Sequence, residues 1–156
     1  MKKIKISKKT MESQYAVAIW GGVLCSLAGT FIVGMLHKIF PTFTSPNLDA
    51  FNELMGMSPV IVAFLLFVVI IVSPIVEEFV FRKFLWWLSG LVFSPTTTLV
   101  LISLLFAYVH GDWLHIIGLL PISFFLGWMR MRTGGIRHPI VAHIANNAFA
   151  SAVIML

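Results

Sequence analysis

The sequence predicts an all-α, polytopic membrane helix bundle of about five spans, with a short interfacial helix between the first two. Three observations point there. Of 156 residues, 59% are hydrophobic and only 11% are charged, whereas soluble domains carry about 25% charged residues. The apolar residues come in long runs divided by short polar stretches. Ser-Pro and His-Pro pairs stand where several runs begin. No internal repeat or second domain is visible, and the length suits one compact bundle. Cys25 is the only cysteine, so no intramolecular disulfide can form and cysteine usage says nothing about compartment.

Residues 1–14 form a lysine-rich N-terminus with Lys2, Lys3, Lys5, Lys8 and Lys9 directly before an apolar run. That placement accounts for much of the net charge of +5. It suits cytoplasmic retention and attraction to anionic lipid, and is not a nucleic-acid footprint. A cleaved signal peptide is the competing reading, and "SLAG" could mimic its cleavage site. The run over 15–36 is longer than a signal core, so an uncleaved first span is expected.

Residues 15–56 hold that span and an external loop. Ser45-Pro46, followed by Leu48, Phe51 and Leu54, predicts the amphipathic interfacial helix. Residues 57–156 carry four more spans, at about 59–76, 95–110, 114–129 and 139–156. The third and fourth spans of the chain are short. Ser58-Pro59, Ser94-Pro95 and His138-Pro139 each set proline at the first helical position, with serine able to cap the first two. Arg82/Lys83 and Arg130, Arg132, Arg137 would lie on the cytoplasmic side with the N-terminal lysines, leaving Lys38 outside. Trp86, Trp87, Trp113 and Trp128 sit near span ends, as an aromatic belt would.

Few ionisable groups lie within the spans: Glu77, Glu78, Arg82, His110 and His143, with Asn146 and Asn147 as polar companions. Ionisable groups there are costly and usually face a bundle interior, so each is a functional candidate. Glu78 and Arg82 are four apart with the acid first, the favourable order for an ion pair. Glu77 is rotated by about 100° and has Phe81 at its own i+4 position. It has no local counter-charge, which leaves it as the candidate base. The bland alternative is that both acids mark a wet helix end. His143 shares a helix face with either Asn146 or Asn147, and spacing does not choose between them.

Taken in order, Glu-Glu-x-x-x-Arg at 77–82, Phe-x-x-x-His at 106–110 and His-x-x-x-Asn at 143–147 resemble the CPBP family of intramembrane proteases. That family comprises CAAX prenyl endopeptidases and bacteriocin-processing or immunity enzymes, also called Abi. The resemblance covers residues 57–152. It implies that Glu77 and His110 activate the attacking water, and that His143 and Asn147 stabilise the tetrahedral oxyanion. Glu78 and Arg82 would hold the motif helix, and Phe106 would support the second motif.

Two departures stand out: Lys83 follows Arg82 where the family often has glycine, and the chain has few accessory helices. Glu77, His110 and His143 could make a His₂Glu zinc site. No HExxH is present, and a metal-free glutamate mechanism is favoured, with the cofactor unassigned. The expected activity is an endopeptidase acting on a membrane-associated protein or peptide. The expected setting is a plasma membrane, bacterial by resemblance, crossed several times. The alternative is a non-enzymatic bacteriocin immunity or scaffold protein, and a small transporter is a further rival.

Counting residues raises one difficulty. At 1.5 Å per residue, Glu77 falls roughly 27 Å along its span and His110 about 23 Å along an opposed one. Vertical helices with those bounds would hold the two far apart. They meet only if the third span starts below the hydrocarbon or the helices tilt.

Overall fold

The computed structural model describes residues 8–40, 53 and 56–155. Within them the chain forms an all-α bundle of five helical rods: α1 (Lys8–Ile39), α2 (Pro59–Ser89), α3 (Pro95–Tyr108), α4 (Trp113–Thr133) and α5 (Arg137–Met155). Glu12–Ile39 of α1, all of α2 and all of α4 are long and apolar enough to cross a membrane. α3 has 14 residues, and α5 carries His143, Asn146 and Asn147 among its 19. The interfacial helix expected after Ser45-Pro46 lies outside the described residues.

α2 does not end at 76, as its hydropathy predicts, but runs on to Ser89. Its two acids therefore lie inside the rod and do not mark its end. Two π-helical stretches, Val68–Val72 and Phe79–Leu85, interrupt its α-helix. Pro74 explains the first, because it has no N–H to give to the preceding turn. The Ser73 N–H bonds back to Val68 O, so Val69 O loses its ordinary i+4 donor. In the second stretch the Trp86 N–H turns to Phe81 O and Lys83 O, not to Arg82 O. Both deserted carbonyls are taken by side chains of other helices. Asn147 Nδ2 donates to Val69 O at 3.0 Å, and Arg130 Nε donates to Arg82 O at 2.8 Å.

Proline opens α2 and α3 as expected, but only one serine caps. Ser94 Oγ accepts from the Thr97 N–H at 3.2 Å, whereas the Ser58 side chain makes no capping bond. α5 starts at Arg137, two residues ahead of Pro139. Gly134, left-handed with φ 70°, closes α4 by donating its N–H to Arg130 O at 3.0 Å.

Packing is inverted relative to a soluble domain. Glu78, Arg82, Thr98, Ser103 and Ser123 are fully buried, while Val60 and Val92 are 80% and 78% exposed. Lipid would cover that outer surface, and polar side chains serve as contacts between helices inside. α1 packs across α4 and α5 through glycines. A Cβ on Gly22 would stand 2.2 Å from Ala142 O, and one on Gly29 would stand 2.4 Å from Gly118 O. Gly22→Leu is accordingly expected to cost about 2 kcal/mol by forcing α1 off α5. Gly34, with open space around it, should accept leucine with no such loss. Thermal unfolding of the two variants in one detergent compares them.

Candidate active site

The site grows from one buried ion pair. Arg82 Nη1 lies 3.2 Å from Glu78 Oε1, one turn away on α2, and both side chains are fully shielded. Burying two charges is tolerable only if their remaining hydrogen-bonding capacity is met. Arg82 Nη2 meets part of it by donating to Ser123 O at 3.1 Å and to Ser123 Oγ at 3.3 Å on α4. The guanidinium also sits 4.1 Å from the Phe106 ring centroid. Ser123 is fixed in turn by α3, donating to Ser103 O at 2.6 Å while Ser103 Oγ donates back to Ser123 O at 3.1 Å. Three helices are thus tied at one level.

Glu78 does more than hold Arg82. His143 Nδ1 lies 3.0 Å from the same Oε1 atom, so Glu78 also orients the histidine on α5. Helical spacing showed only the first of these partners.

Glu77 faces a different quarter, as its rotation requires. Its Oε1 accepts the Ser73 hydroxyl, one turn earlier. Its Oε2 lies 3.5 Å from His110 Nε2 and 3.7 Å from His143 Nε2. Both Nδ1 atoms are already committed. His110 Nδ1 lies 2.5 Å from Phe106 O, and a carbonyl only accepts, so Nδ1 carries the proton. His143 Nδ1 likewise faces a carboxylate paired to arginine. With neutral imidazoles, the Nε2 atoms of His110 and His143 both stand as acceptors beside Glu77 Oε2. Consistently, Glu77 Oε2 is buried and has no hydrogen-bond donor. Two glutamates against one arginine leave a net negative charge, so one proton shared among the three groups would neutralise the cluster.

The depth difficulty disappears with the longer α2. Glu77 lies about 18 Å above the end of that rod, and the 14 residues of α3 climb back about 21 Å. His110, in the turn beyond Tyr108, therefore arrives level with Glu77. Phe106 supports the arrangement from one helical turn below. Its ring meets those of His110 and His143 with centroids 4.4 Å and 5.5 Å away.

Glu77, His110 and His143 are thus brought together, with Glu78, Arg82 and Phe106 beneath them. Asn147 stands one turn beyond His143, its amide on Val69 O. Asn146 is buried and donates to Asn147 Oδ1 at 3.1 Å. The spacing left these two asparagines equivalent, and it is Asn147 that touches α2. Residue spacing also missed Ser73, Ser103 and Ser123, although hydroxyls inside apolar runs are common contacts between membrane helices. In kind, the histidine–histidine–carboxylate set matches zinc proteases. In arrangement, no group of three or more His, Cys, Asp or Glu among the described residues forms a metal-holding cluster.

The family model described as Type II CAAX prenyl endopeptidase Rce1-like matches residues 59–149, a stretch that includes all three motifs. The chain belongs to this Rce1-like family. Its membership accords with the CPBP resemblance carried by the motifs, and α1 lies ahead of the matched region. The chain is 26% identical over 156 residues to the Bacillus subtilis (strain 168) protein named "Putative membrane peptidase YdiL", covering 92% of this chain and 61% of that one. It is 23% identical over 155 residues to the "UPF0177 protein YxdF" of Lactococcus lactis subsp. lactis (strain IL1403), covering 98% of this chain and 85% of that one. The chain thus spans less than two-thirds of the length of the Bacillus relative. No solved structure matches. Within the Rce1-like region, the hydrogen bonds and ion pairs that build the site run among α2, α3, the turn that follows it, α4 and α5.

Proposed function

We propose that this Rce1-like chain is a membrane-embedded endopeptidase that hydrolyses a peptide bond of a membrane-associated protein or peptide, using a water activated at Glu77. The observation that carries this reading is the approach of His110 Nε2 and His143 Nε2 to Glu77 Oε2, at 3.5 Å and 3.7 Å. A water placed there donates one hydrogen to Glu77 and the other to His110. Glu77 takes the first proton as the water oxygen bonds to the substrate carbonyl carbon. The carbonyl oxygen, now negative, accepts from protonated His143 Nε2, whose Nδ1 is steadied by Glu78, and from the second amide hydrogen of Asn147. Glu77 then gives its proton to the departing amine nitrogen as the C–N bond breaks. Water and charge are both needed where lipid excludes them, and the buried cluster supplies a place for them.

No step passes through a metal. Cleavage by the purified protein is expected to survive a strong zinc chelator at full rate, and loss of activity restored by added zinc would show the opposite. Arg82 is paired inside the bundle and no longer counts toward topology, but Lys83, Arg130, Arg132 and Arg137 support a cytoplasmic N-terminus in a plasma membrane. The test of the activity is a membrane-proteome comparison between cells carrying wild type and cells carrying Glu77→Gln. At least one membrane peptide should be cut only by wild type. If correctly inserted Glu77→Gln and His143→Ala proteins both retain full cellular function, the protease reading is wrong.

A further inference from the structure

A second feature lies beneath the site, where α2 passes α4. Phe79, Lys83, Phe84, Trp87 and Arg130 line a groove of about 530 Å³. Two of its five walls are cationic, and none of the ion pairs among the described residues involves either of them. Lys83 is exposed and rests its ammonium 4.6 Å from the Phe79 ring centroid. Arg130 is held from behind, with Nε on Arg82 O at 2.8 Å and the guanidinium 5.8 Å from the Trp86 ring centroid. That bond uses only Nε, and Arg130 lines the groove with its two terminal nitrogens outside that bond.

We infer that this groove binds the phosphate of an anionic phospholipid, with Lys83 and Arg130 as its ligands. Charge complementarity supplies the first reason, since two unpaired cations beside three aromatic rings favour an anion that also brings apolar surface. Continuity supplies the second. Phe84 and Trp87 are 56% and 59% exposed, and Leu88 and Leu91 carry the apolar surface onward from them. Acyl chains would cover that surface, whereas a free phosphate would leave it bare. The bound headgroup would also reach the site described above, because Arg130 holds the carbonyl of the residue whose side chain fixes Glu78.

Native mass spectrometry of the detergent-purified full chain tests this with phosphatidylglycerol, phosphatidylcholine and inorganic phosphate as separate probes. Wild type should retain phosphatidylglycerol over phosphatidylcholine. Lys83→Gln should lower that retention about fivefold, the worth of one basic residue near an anionic headgroup. Lys83→Arg should restore it, and Lys38→Gln, on the exposed end of α1, should leave it unchanged. Lys83 is exposed, so its variants should unfold at the wild-type temperature, which the same preparations can check. Equal retention of the two lipids, or equal loss from Lys38→Gln, would overturn the proposal by reducing the effect to general attraction or none. Displacement of phosphatidylglycerol by inorganic phosphate alone would overturn the lipid assignment in favour of a soluble anion.

Discussion

Glu77→Gln is expected to lower kcat by about a thousandfold while leaving KM nearly unchanged, within the range that general bases contribute. Glutamine has the same shape and can still accept the Ser73 hydroxyl that positions Glu77. The variant should therefore insert and fold. What it loses is the ability to take a proton from water between Oε2 and the two Nε2 atoms. The measurement is the cleavage rate of a substrate found in the proteome comparison, using protein that elutes like wild type on size exclusion. A rate within tenfold of wild type would remove Glu77 from the role of base. His110→Ala should fall less far, because Glu77 can still take the proton while one acceptor of the water is gone.

The second large effect concerns stability. Arg82→Leu should cost about 4 kcal/mol, because it strands the Glu78 carboxylate where no solvent reaches. It also removes the donor to Ser123, and with it one tie between α2 and α4. Removing both charges together, as Arg82→Leu with Glu78→Gln, should recover much of that loss, since an absent buried pair costs less than a broken one. Activity should not follow. His143 Nδ1 needs a charged partner at 3.0 Å if the imidazole is to hold a proton for the oxyanion. Thermal unfolding and cleavage rates across the four-member cycle separate the two roles. If the double variant regained full activity, Glu78 would serve only as the partner of Arg82, as helical spacing alone suggests.

The parts of the site that could be read from the chain were the local ones. Glu78 and Arg82 sit one turn apart, so their pairing follows from helix geometry. Phe106 and His110 are likewise one turn apart, and their ring contact at 4.4 Å has the same origin. The second duty of Glu78 was hidden because its partner lies 65 residues away. The bound of α2 was misplaced for a physical reason as well. Charged residues ordinarily end a membrane span, but Glu78 and Arg82 cancel each other inside the bundle and let the helix continue.

The sequence by itself determined the all-α membrane class, the starts of α2 and α3, and the identities of the groups that meet at the site. Those properties depend on hydropathy, on proline's missing N–H and on a repeat of 3.6 residues, all of which act over a few positions. Only the tertiary structure decided that His110 and His143 both reach Glu77. That outcome required α2 to run on to Ser89 and α3 to climb back by nearly the same height. The same holds for the bonds of Asn147 and Arg130 to Val69 O and Arg82 O. Those carbonyls are open only where α2 leaves its α-helical register, and the donors come from helices far along the chain.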